Sequence, residues 1–93
     1  MPFAAVTNAR LEGRDPAAGQ KFLTDWAIPR LKGMVGFQTA RFLRSQDGTT
    51  GVGTAIFDTE SNAKAALDAM ATDRPEQAPL IVSTAIYEMI LEV

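Results

Sequence analysis

GFQTARFLRSQDGTTGVGTAIF, residues 36–57, decides how the rest of the chain is read. From Gly36 to Ser45 the side chains alternate with a period of two. Phe37, Thr39, Arg41 and Leu43 share one side and Gln38, Ala40, Phe42 and Arg44 the other, which is a strand. Gln46-Asp47-Gly48-Thr49-Thr50-Gly51 is a run of turn formers, so the next run, Val52 to Phe57, returns antiparallel and closes a hairpin. Neither strand has one clearly polar side, because Phe42 opposes Phe37 and Leu43, and Phe57 opposes Val52 and Ile56.

Upstream, Phe3 to Leu11 reads as a strand, followed by Gly13-Arg14-Asp15-Pro16, a break with a side-chain acceptor at the N-cap and proline at the first helical position. The helix begun there carries Phe22, Leu23, Trp26, Ala27, Leu31 and Met34 at spacings of three and four. Pro29 falls inside that pattern, where it is expected to kink the helix or end it early, and Gly33 and Gly36 close it. Downstream, Thr59 caps a second helix with Glu60 at its positive end and a narrow stripe of Ala63, Ala66, Leu67 and Met70. That helix is expected to end near Asp73. Arg74 to Leu80, with Pro75 and Pro79, is a loop, and Ile81 to Val93 is a last strand rich in β-branched and apolar residues.

The order βαββαβ with right-handed crossovers gives an α+β fold, the ferredoxin-like plait: one antiparallel four-stranded sheet with two helices on one face. A single domain over residues 1–93 is expected, its first strand beginning at Phe3. The last strand is apolar on both sides, with Tyr87, Met89, Leu91 and Val93 facing one way and Ile86 and Ile90 the other. Two helices cover only one sheet face, so a homodimer through the bare face is expected.

Composition removes several classes of function. His and Cys are both absent, so no disulfide, thiolate nucleophile, Ser-His-Asp triad, His-ligated haem or His/Cys zinc site is available. The acidic residues show no paired spacing, and no metal site is expected. Nine Lys and Arg against eleven Asp and Glu leave a net charge of −2, which provides no field to gather phosphate backbones or anionic lipid. RNA-recognition modules share this strand order, but their platform aromatics on the third strand are replaced here by Val52 and Thr54. Neither nucleic acid nor membrane is expected as a partner. No basic segment leads into a long apolar run at Met1-Pro2-Phe3-Ala4, so a cytoplasmic location is expected.

Three stretches resemble the dimeric α/β-barrel superfamily, in its antibiotic-biosynthesis-monooxygenase-like branch. Pro29 to Ser45 is similar to that branch's P-x-L-x-x-x-P-G-F-x-x-x-x-L-x-R segment. Ala55 to Ala63 resembles the start of its second helix, and Ile86-Tyr87-Glu88-Met89 resembles its last-strand Y-E-V. The resemblance implies a pocket between helices and sheet, in which characterised members, cofactor-independent quinone-forming monooxygenases and haem-degrading enzymes, use an Asn, a Trp and a Tyr or His. Asn8 lies near the place of that Asn. The second helix has no aromatic residue and the chain has no His, so the Trp and His roles have no counterpart, and haem degradation is excluded.

Asn8 and Tyr87 are therefore the candidate catalytic residues, and Phe22, Trp26 and Arg41 the candidate ligand-pocket residues. Each has a structural alternative: Trp26 and Tyr87 as core aromatics, Asn8 as an edge or dimer contact, Arg41 as a solvated or paired cation. With no cofactor expected, general acid–base power would come from a shifted Tyr, Asp or Glu, or from a substrate that ionises easily, such as a phenol or hydroquinone. Two readings follow: a cofactor-independent monooxygenase-like enzyme acting on a small aromatic or polyketide-like compound, or a non-catalytic dimeric module that binds a small ligand or is structural. In the first reading Asn8→Ala and Tyr87→Phe are expected to weaken binding or turnover.

Overall fold

The computed structural model describes residues 1–93. Strands β1 (Phe3–Arg10), β2 (Phe37–Arg44), β3 (Thr50–Phe57) and β4 (Leu80–Glu88) form one antiparallel sheet in the order β2-β3-β1-β4. Helical segments α1 (Pro16–Phe22), a π-helical turn (Leu23–Ala27) and α2 (Ile28–Lys32) run on from one another between β1 and β2, and α3 (Glu60–Met70) joins β3 to β4. This is the ferredoxin-like plait. No helix is long and apolar enough to cross a membrane.

The caps lie where the side chains call for them. Asp15 accepts from the Ala17 amide at 3.1 Å with Pro16 next to it, and Thr59 accepts from the Asn62 amide at 3.1 Å. The β2–β3 turn is held by Asp47, whose carboxylate accepts from the Thr49 amide at 3.0 Å and from the hydroxyls of Ser45 and Thr49. Those bonds, the Thr49 amide foremost, hold its pKa below the ordinary carboxylate value. Gly36 turns the chain into β2 with φ +81°, and a Cβ there would collide with the Asp58 and Asn62 side chains, so glycine is required on both counts.

Pro29 neither ends nor sharply interrupts the first helix. It lacks the amide that would bond the Asp25 carbonyl and its ring crowds that group. The preceding turn widens instead, and the Ile28 amide bonds Leu23 O, five residues back. The inserted residue rotates the helix surface. Phe22, Ala27 and Leu31 are buried, whereas Trp26, aligned with Phe22 by regular spacing, is only half-buried.

Two further expectations are corrected at the sheet. A bulge between Phe37 and Thr39 takes Phe37 off the side of Thr39 and Arg41 and packs it against the core. The last strand stops at Glu88 rather than Val93, because its neighbour β1 has run out. Phe3 pairs with Glu88, Met89 donates to Pro2 O at 2.9 Å, and Ile90, Leu91 and Val93 project from the sheet unpaired and exposed. The second helix likewise ends at Met70, a turn before Asp73.

The core occupies one end of the helix–sheet interface. Phe57 is fully buried among Ala5, Leu31, Ala55, Ala63 and Ala66, with Phe37 edge-on at 5.8 Å.

Candidate functional site

The helix-facing side of the two central strands tapers. Along β3 it runs Phe57, Ala55, Gly53, Gly51, and along β1, paired with it, Phe3, Ala5, Thr7, Ala9. At the aromatic end the layers are filled. At the glycine end the two central strands offer only short side chains, and a cleft of about 1000 Å³ opens between sheet and helices. Half of its lining is apolar, the usual character of a small-molecule site. Two side chains fold over the floor: Leu11 passes within 3.0 Å of where a Gly51 Cβ would be, and Phe42 within 3.3 Å of a Gly53 Cβ. The glycines therefore accommodate these walls as well as the void.

The helical wall presents Phe22, Ala27 and Leu31. Trp26 stacks on Phe22 at 5.4 Å and 21° but does not itself line the cleft. Its other neighbour is Arg30, whose guanidinium lies 4.6 Å from the indole centroid and donates to Ala69 O at 2.7 Å. Arg74 closes the stack, 5.5 Å from the Phe22 ring and 5.9 Å from that of Trp26, and it lines the cleft.

The structure separates the residues singled out from the sequence. Phe22 lies in the cleft, with Trp26 behind it. Asn8, Tyr87 and Arg41 lie on the opposite, bare face, since Asn8 pairs with Val52 and Ser83, Tyr87 with Ala4, and Arg41 with Thr54. Asn8 donates to Ser83 Oγ at 3.2 Å beside a shallow crevice of about 260 Å³ that also includes Arg10 and Glu12. Tyr87 is 58% exposed. A residue's side of a strand follows from its parity relative to a buried neighbour, and Ala5 and Ile86 fix it here for Asn8 and Tyr87.

The residues that make the cleft are Gly51, Gly53, Ala55, Ala5, Thr7 and Ala9, none of them a candidate by chemistry. Their sequence signal is a run of small residues at every second position on two strands. No group of three or more His, Cys, Asp or Glu side chains is placed to hold a metal ion.

The fold has close counterparts among solved structures. A monooxygenase of Streptomyces coelicolor, in complex with nanaomycin D, superposes with a TM-score of 0.67 at 19% identity over 98% of this chain and 89% of its own. A cofactor-independent oxygenase of Streptomyces nogalater gives 0.73 at 16% identity over 99% and 96%. The chain shares the backbone fold of these two oxygenases. A third protein with this fold, from Chloroflexus aurantiacus, gives 0.68 at 14% identity over 100% and 97%. No family model and no curated protein sequence matches the chain. The likeness therefore lies in the backbone path.

Proposed function

We propose that the protein is a cofactor-independent monooxygenase acting on a small aromatic or polyketide-like compound bound in the helix–sheet cleft. The observation that carries this reading is the cleft itself, a space of about 1000 Å³ with half of its lining apolar in a chain of 93 residues. The two Streptomyces oxygenases with the same fold support it. The chemistry suits a chain without His or Cys if the substrate provides the electrons. An ionised anthrone-type phenol gives its CH₂ carbon to dioxygen. One oxygen atom becomes the new carbonyl, the other leaves as water with both hydrogens, and all four electrons come from the substrate. The protein's part is to bind the anion, hold it flat and exclude water.

With a hydroxyanthrone as probe, dioxygen uptake is expected to equal quinone formed, with one atom of ¹⁸O₂ entering each product molecule. The absence of His and Cys from the chain favours a second reading, a ligand-binding module without turnover. Tight binding of the anthrone with no uptake above the buffer rate would select it.

The same proposal includes a homodimer built on the bare sheet face. Val6, Val52 and Ile56 lie at its centre, Leu43 is 57% exposed and Tyr87 is 58% exposed, an apolar surface that a second copy would cover. Val6→Glu puts a charge at the middle of that face but leaves the core untouched. It is expected to convert a dimer to a monomer in sedimentation at micromolar concentration. A wild-type monomer at that concentration would refute the dimer.

A further inference from the structure

Six charged residues line the cleft, Arg14, Arg44, Lys64 and Arg74 against Asp15 and Asp68, in a chain of net charge −2. Most are already engaged or open to water. Lys64 is paired with Glu60 at 3.2 Å, Asp15 caps α1, Arg14 donates to the Gln77 carbonyl, and Arg44 and Asp68 are exposed. Arg14, like Arg74, is half-buried and bound to a backbone carbonyl without a carboxylate partner, but Arg74 alone of the six lies against the aromatic rings of the cleft wall.

We infer that Arg74 is the anion-binding group of the cleft, holding an ionised oxygen, phenolate or carboxylate, of an aromatic ligand whose rings lie along the Gly51–Gly53 floor. The inference rests on the reading of the cleft as a ligand site and names the ligand's charge. Its geometry is preset: Nη1 donates to Met70 O at 3.1 Å and Nη2 to Pro79 O at 2.8 Å. Those two bonds tie the guanidinium to the last turn of α3 and to the start of β4, leaving its other N–H donors for a ligand. An anion meeting a guanidinium already fixed in place loses little conformational entropy on binding. Burial lowers the Arg74 pKa, the mark of a cation that has given up water without gaining a counter-ion, and such a cation gains most from an incoming anion.

A matched pair of probes tests this, 2-naphthoate and 2-naphthamide, equal in shape and different in charge. Wild type is expected to bind the naphthoate about tenfold more tightly. Arg74→Met, which keeps an unbranched apolar stem beside Phe22 and removes the guanidinium, is expected to abolish that preference while holding the naphthamide affinity. Equal affinities in wild type, or a preference that survives in Arg74→Met, would overturn the inference, and so would an equal loss of both probes in the variant, the result of a purely structural role. Should the variant not fold, the ¹⁵N Nε–H resonance of Arg74 in wild type reports directly. It is expected to shift with naphthoate and not with naphthamide, and a shift confined to another arginine would refute the assignment. Naphthoate preference without dioxygen uptake leaves Arg74 in its role and removes the monooxygenase; naphthamide binding without preference does the reverse.

Discussion

Phe57→Ala is expected to lower stability by about 3–5 kcal/mol, a large share of the roughly 5–15 kcal/mol available to a domain of this size. Phe57 is the largest side chain fully removed from solvent, and it joins the sheet to both helices through Leu31 and Ala63. Alanine would leave a cavity lined by Ala5, Ala55, Ala63 and Ala66, side chains too short to lean into it, so little of the loss is recovered by collapse. The thermal midpoint is expected to fall by roughly 12 °C or more. Melts by circular dichroism, compared at one protein concentration because dimerisation would couple to folding, measure it. Val82→Ala, 61% exposed on the edge strand, is the contrast, with an expected change within about 0.5 kcal/mol. A drop below about 1 kcal/mol for Phe57→Ala would mean that the two layers are joined elsewhere.

The plait was legible in the sequence because its signals are local. Asp15-Pro16, Thr59, the Asp47-Gly48 turn and the period-two runs each act within a few residues, and each appears in place. The misreadings involve longer range. Trp26 joins the apolar stripe only if the helix keeps regular spacing, and Pro29 changes that spacing a turn upstream. Strand β4 continues through Val93 in propensity but needs β1 beside it to remain a strand, and β1 begins at Phe3. The site suffered from a different blindness. Chemistry-bearing residues attract notice, so Asn8 and Tyr87 stand out, yet parity against Ala5 and Ile86 sends both to the bare face. A cleft is made by side chains that are missing, and Gly51, Gly53 and Ala9 are conspicuous only once two strands are aligned and their shared face is read across. The homodimer expected from the apolar bare face stays a proposal, and if it forms, Asn8, Tyr87 and Arg41 would lie at the contact rather than in the cleft.

Thr7→Phe is expected to block the cleft while sparing the fold. Thr7 stands at the middle of the floor, between Gly53 on one neighbouring strand and Thr84 on the other. Its hydroxyl makes no side-chain hydrogen bond, so removal leaves no partner stranded, and phenylalanine is a good strand former. The new ring would project into the cleft beside Phe42, which covers Gly53, and would occupy the volume that a ligand's first ring needs. Binding of 2-naphthamide is expected to weaken by about 30-fold or more, the equivalent of losing about 2 kcal/mol of apolar burial, with the thermal midpoint unchanged or raised. Asn8→Ala and Tyr87→Phe serve as the opposite-face comparison and are expected to bind within about twofold of wild type. If those two lose the probe and Thr7→Phe retains it, the ligand lies on the bare face, and the cleft between helices and sheet is not the site.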